Sequence, residues 1–173
     1  MPTATSASPA PGAASNYYSP SPWMRALRLA LGASQRAWPA LAVRAAYRLF
    51  GTPLPLKWLN RRHGPASGWQ REAWDFEDAD LGLYTPTAVT LGAPRVLLVH
   101  GWGGHAGQMV PLAQALAASG FAPLLLEMPA HGRSTGTVSN LPQFARAIEY
   151  VSARLALGGT PLRAVAGHSL AAH

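Results

Sequence analysis

The side chain best placed to do chemistry is the Ser169 hydroxyl, within Gly167-His168-Ser169-Leu170-Ala171. The short segment Leu162 to Ala166 reads as a strand that enters this pentapeptide. A nucleophile on a tight strand-to-helix turn needs small residues two places to either side, because the backbone there is crowded. Gly167 and Ala171 meet that need. In such a turn Ser169 presents its hydroxyl over the sheet edge. The Leu170 N–H then points at the oxyanion that develops when a carbonyl carbon is attacked. Taken alone, a serine here is more often a helix N-cap, so the upstream loops must decide.

Two such loops exist. His100-Gly101-Trp102-Gly103-Gly104 follows the apolar run Val96-Leu97-Leu98-Val99, and Pro129-Ala130-His131-Gly132-Arg133-Ser134 follows Phe121 to Glu127. The glycines let the backbone turn away from its strand and leave N–H groups pointing into a cleft. Trp102 has two roles open to it, a backbone donor and an aromatic wall. His100, His131 and His168 read as structural or loop-packing residues. His173 lies one turn along the same helix as Ser169, too close to face its hydroxyl.

These loops need a scaffold, and the hydrophobic pattern supplies one. Arg71 to Phe76 and Leu81 to Tyr84 read as strands around an acidic turn, Glu77-Asp78-Ala79-Asp80. Arg95 to Val99, Phe121 to Glu127 and Leu162 to Ala166 read as buried strands. Between them lie two helices. His105 to Ser119 carries Met109, Leu112, Ala113 and Leu116 on one face, and Asn140 to Leu157 carries Phe144, Ile148, Val151 and Leu155. Strands alternating with helices in this way predict right-handed crossovers and a mostly parallel sheet, with all three loops at its carboxyl edge.

With these motifs in order, Gln70 to His173 resembles the α/β-hydrolase family. His100-Gly101-Trp102-Gly103 is similar to the family's oxyanion loop, the 129–134 loop to its turn after the next strand, and Gly167 to Ala171 to its nucleophile elbow. Ala171 stands where glycine is usual. The resemblance implies that the Trp102 and Leu170 N–H groups form the oxyanion hole around Ser169. It also implies a small-molecule acyl substrate bearing an ester, thioester or amide, attacked through an acyl-enzyme without cofactor or metal. Serine at the elbow argues against the dehalogenase-like and epoxide-hydrolase-like branches, which use aspartate. In this family an acid and then a histidine follow the serine. Every carboxylate here precedes Ser169. The fold expected is therefore α/β, an α/β-hydrolase with a mostly parallel sheet and flanking helices. It is truncated after the nucleophile-elbow strand, preceded by a helical extension, and inactive as written.

Composition bounds the rest. The 173 residues support one sizeable core, and the lack of cysteine excludes disulfides and thiolate chemistry. Residues 1–71 hold nine bases and no acid, whereas seven acids and five bases follow. Residues 1–22, rich in Ala, Ser and Pro, read as a disordered tail. Residues 23–68 read as a basic helical extension and connector, helical in two pieces over Trp23 to Phe50, with the hydrolase part over 69–173. The Arg-rich extension raises a rival reading, a basic surface-binding module on a non-catalytic scaffold. It leaves targeting or peripheral membrane contact open for a protein otherwise expected in the cytoplasm, and no nucleic-acid partner is expected. A second rival is dinucleotide binding. Gly101-Trp102-Gly103-Gly104-His105-Ala106 fits the glycine fingerprint, and Glu127 ends the next strand where a ribose-binding acid could lie.

Overall fold

The computed structural model describes residues 21–54, 64–65, 67–88 and 91–168. The expectations for residues 1–20, for connector residues 55–63 and 66, and for Ser169, Leu170, Ala171 and His173 lie outside the described residues. The chain divides into two compact units between Tyr47 and Arg48.

The first unit holds α1, Pro22–Ala37, and most of α2, which begins at Pro39 and runs across the boundary to Gly51 in the second unit. Proline suits the first turn of each helix, where its missing N–H would be unpaired anyway. The Trp38 N–H closes α1 on the Ser34 carbonyl at 2.9 Å. Trp23, Trp38, Leu41, Val43 and Tyr47 are exposed.

The second unit is a five-stranded mixed sheet. β1 (Trp69–Phe76) and β2 (Ala79–Pro86) form an antiparallel hairpin in register from Trp69↔Pro86 to Phe76↔Ala79. Its turn is Glu77-Asp78, with Glu77 at φ 53°, two residues shorter than the sequence suggests. Asp80 is drawn into the strand because it meets the loop after β4. Its N–H donates to Thr135 Oγ1 at 2.6 Å and its carboxylate accepts the Thr135 N–H at 3.0 Å.

β3 (Arg95–Val99), β4 (Ala122–Glu127) and β5 (Leu162–Gly167) are mutually parallel, and the sheet order is β1-β2-β4-β3-β5. A 3₁₀ turn, Ala106–Met109, leads into α3 (Val110–Ala118), and α4 covers Leu141–Leu157. The helix expected from His105 thus begins as a tighter turn, with Pro111 accommodated in the first turn of α3.

Alternate strand residues feed two cores. Leu97, Val99, Leu124 and Leu126 pack with Phe144, Ala147, Val151 and Leu155 of α4. Val96, Leu98 and Leu125 pack with Met109 and Ala113 on the opposite face. Burial on both sides explains why β3 and β4 are apolar runs; β5, expected to be buried like them, is instead mostly exposed, with Val165 at 46%. Leu112, expected inward, is 44% exposed, and Ala113 holds the inner position with no exposure.

Helix boundaries fix where the loops start. Asn140 caps α4 by accepting the Gln143 N–H at 2.8 Å. The Gly51 carbonyl accepts the Ser139 N–H at 2.7 Å, so Gly51 lies against this loop.

Candidate active site

The carboxyl ends of β3 and β5 lie side by side. Val99 pairs with Gly167, and the His168 N–H donates to the Val99 carbonyl at 2.9 Å. Gly167 and His168, the residues just before Ser169, are therefore set directly against the loop that starts at His100. Between them opens a cleft of about 500 Å³, lined mostly by apolar groups including Trp102, Leu141, Phe144, Ile148 and Val165. His168 is exposed at its rim. No described atom lies within 4 Å of where a Cβ on Gly167 would sit. The crowding that motivates a small residue there is thus not imposed by the described part of the turn.

The loop after β3 is a tight turn held from several sides. Gly104 donates its N–H to the Gly101 carbonyl at 3.0 Å. Gly103 has φ 71°, and a Cβ there would overlap the Leu54 carbonyl oxygen. Glycine is required twice over, by dihedral and by space. The sequence suggests that these glycine N–H groups point into the cleft. In the structure the Gly103 N–H turns instead to His131 Nε2, at 3.0 Å, because a buried amide must find an acceptor. The Trp102 N–H donates to no described residue. Its indole packs edge-on to His131 at 5.3 Å and beside Phe144 at 5.7 Å, so Trp102 also supplies the aromatic wall.

Two buried histidines tie the loops together, with ring centroids 5.1 Å apart. His100 Nε2 accepts the Met128 N–H at 3.2 Å, and its Nδ1 meets the Gly101 carbonyl at 2.8 Å. His131 repeats the pattern, with Nε2 on Gly103 and Nδ1 on the Pro129 carbonyl at 2.8 Å. A carbonyl can only accept and an amide N–H can only donate, so both rings are neutral with the proton on Nδ1. Burial pushes each pKa down to about 4, helped at His131 by the neighbouring His100. Each ring has both nitrogens engaged, so neither is placed to take a proton from serine.

Glu127 plays a part that sequence reasoning assigned elsewhere. It has no exposure. Its carboxylate accepts the Ala106 N–H at 3.2 Å, the Arg133 N–H at 2.8 Å and the Tyr84 hydroxyl at 3.0 Å. It fastens the start of the 3₁₀ turn, the loop after β4 and β2 to one point. A dinucleotide would need that N–H for its pyrophosphate and that acid for its ribose. Both are already engaged with each other, which removes the physical basis of the dinucleotide reading. The one signal available was an acid ending an otherwise apolar strand. Burial, with the Glu127 charge beside it, pushes the Tyr84 pKa up to about 12.

Residues 94–172 match the family model described as alpha/beta hydrolase fold. Est1E from Butyrivibrio proteoclasticus, solved with ferulic acid, is 25% identical with a TM-score of 0.52, over 57% of this chain and 42% of that one. The thioesterase domain of the curacin biosynthetic pathway is 24% identical with a TM-score of 0.47, over 58% and 35%. The Pyrococcus furiosus esterase Pf2001 is 17% identical with a TM-score of 0.47, over 58% and 41%. The chain therefore spans 35 to 42% of the length of these structures. No curated protein matches it.

Proposed function

Residues 94–172 belong to the α/β-hydrolase family, and on that premise we propose that this chain carries the nucleophile and oxyanion site of a serine hydrolase. The observation that carries the reading is the pairing of Val99 with Gly167, continued by the His168 N–H on the Val99 carbonyl. It brings the chain that leads into the Ser169 motif beside the Trp102 loop, which supports a nucleophile at this edge. In this reading the Ser169 hydroxyl adds to the carbonyl carbon of an ester, thioester or amide. The Trp102 and Leu170 N–H groups hold the oxyanion. Collapse of the adduct expels the alcohol, thiol or amine and leaves an acyl-serine, which water then cleaves. His100 and His131 are committed to the backbone. The proton of Ser169 therefore has to be taken by a histidine beyond these two, oriented by a carboxylate.

The test is fluorophosphonate labelling of the full-length protein followed by peptide mapping. An adduct on Ser169, lost together with ester turnover in Ser169→Ala, is expected. Full turnover in Ser169→Ala would overturn the reading.

A second reading, for the N-terminal helices, is peripheral contact with an anionic bilayer. It is supported by Arg25, Arg28 and Arg36 lying off the Trp23, Leu27 and Leu31 side of α1, and by the exposed Trp23, Trp38 and Tyr47. No described helix is long and apolar enough to cross a membrane. Flotation with phosphatidylglycerol vesicles, but not with phosphatidylcholine ones, is the expected result. Equal behaviour with both would sink this reading.

A further inference from the structure

We propose that His131 is a positioning residue for the Trp102 oxyanion donor, acting through the Gly103 N–H. The inference rests on the serine-hydrolase reading above and deepens it. The Trp102 N–H and the Gly101 carbonyl belong to one planar trans peptide, so they point in opposite directions. The Gly101 carbonyl is held by two donors, Gly104 N–H at 3.0 Å and His100 Nδ1 at 2.8 Å. That fixes the peptide on the amino side of Trp102. The next peptide joins Trp102 to Gly103, and its N–H is held by His131 Nε2 at 3.0 Å. Trp102 is thus bracketed by two pinned peptide planes, which leaves its own φ and ψ little freedom.

The His131 clamp is the one that needs a side chain from another loop. Gly103 sits at φ 71° and, as a glycine, can reach many other conformations once its N–H is released. His131 is itself fixed. Its Nδ1 is on the Pro129 carbonyl at 2.8 Å, and its ring is enclosed by His100, Trp102 and Phe144 at centroid distances of 5.1 to 5.3 Å. A rigid acceptor thus reaches from the loop after β4 into the loop after β3. Its role is geometric.

Two substitutions in the full-length protein separate this role from plain packing. His131→Phe keeps an aromatic ring against Trp102 and Phe144 but offers Gly103 no acceptor. His131→Gln places an amide oxygen near the position of Nε2. Loss of an oxyanion donor costs on the order of 100- to 1000-fold in kcat. Loosening one should cost roughly 10- to 100-fold on the same scale. The expected result is that drop in kcat for a p-nitrophenyl ester in His131→Phe, with KM within about twofold, as befits an interaction made in the transition state. A trifluoromethyl ketone, which forms the oxyanion adduct, should weaken by the same factor. His131→Gln should recover most of both. If wild type labels at Ser169 while folded His131→Phe keeps its kcat and ketone affinity, the positioning role is wrong. It is equally wrong if His131→Gln recovers stability but not rate. If wild type does not label at Ser169, the hydrolase reading itself has failed.

Discussion

Tyr84 of β2 donates its hydroxyl to Glu127 at the end of β4 across 3.0 Å, inside the core. The same carboxylate holds the N–H groups of Ala106 and Arg133. Three donors converge on one buried acceptor, so deleting the acceptor is far worse than deleting a donor. Glu127→Ala is expected to cost about 3–5 kcal/mol in urea unfolding, and Tyr84→Phe about 1–2 kcal/mol. Spectrophotometric titration should show one tyrosine, absent in Tyr84→Phe, ionising only near pH 12.

The buried imidazoles make stability depend on acid. His100 and His131 have folded pKa values lowered from 6.5 to about 4, so between these values the unfolded chain binds more protons than the native one. Stability is then full above pH 6.5 and falls as the pH drops toward 4. Each ring accounts for on the order of 3 kcal/mol over that window. The groups facing them are each other, Glu127, His105 beside His100, and the Gly101 and Pro129 carbonyls. Urea midpoints measured from pH 7 to pH 4 should slope downward, and the slope should lessen in His131→Gln.

Glycines with similar dihedrals should respond very differently to alanine. Gly132 has φ 48° and a Cβ there would overlap the Glu127 carboxylate; Gly103 would strike the Leu54 carbonyl. Gly92 has φ 76° with open space around it. Gly132→Ala and Gly103→Ala are expected to lose more than about 2 kcal/mol, whereas Gly92→Ala loses about 1 kcal/mol from its dihedral alone. Thermal midpoints of the three variants check this ordering.

The cap of α4 offers a smaller, cleaner measurement. Asn140→Ala removes the acceptor of the Gln143 N–H and should cost about 1 kcal/mol. Asn140→Asp should keep most of it.

β3, β4 and both long helices of the sheet domain were legible because burial on one or two faces writes itself into local periodicity, whereas β5, read as a buried strand, is mostly exposed. Leu97, Leu98, Leu125 and Leu126, all without exposure, form apolar runs that nothing but core can accommodate. What escaped was whatever depends on partners far along the chain. The hairpin turn contracts because Asp80 finds Thr135, and Glu127 looks like a ligand acid until Tyr84 and Ala106 are brought to it. The two histidines could be read as structural, yet nothing local reveals that Gly103 is the residue His131 holds. Leu112 lies 44% exposed although its neighbour Ala113 in the same helix is fully buried, a distinction that periodicity alone did not make. Ser169, Leu170 and Ala171 remain readings of the sequence motif alone.

The strand order β1-β2-β4-β3-β5 also sets a timetable. The β1–β2 hairpin joins residues close in sequence, and such hairpins form within about 1–10 μs. β3 and β5 pair across a crossover containing α3, β4 and α4, from Arg95↔Leu162 to Val99↔Gly167. Pairings of that span close a long loop before any contact rewards them, and they are slow. Among the described strands, the β3–β5 edge that brings His168 to Val99 is therefore expected to settle after the β1–β2 hairpin, and during synthesis it waits for β5 to emerge. Whatever is built on that edge inherits this delay.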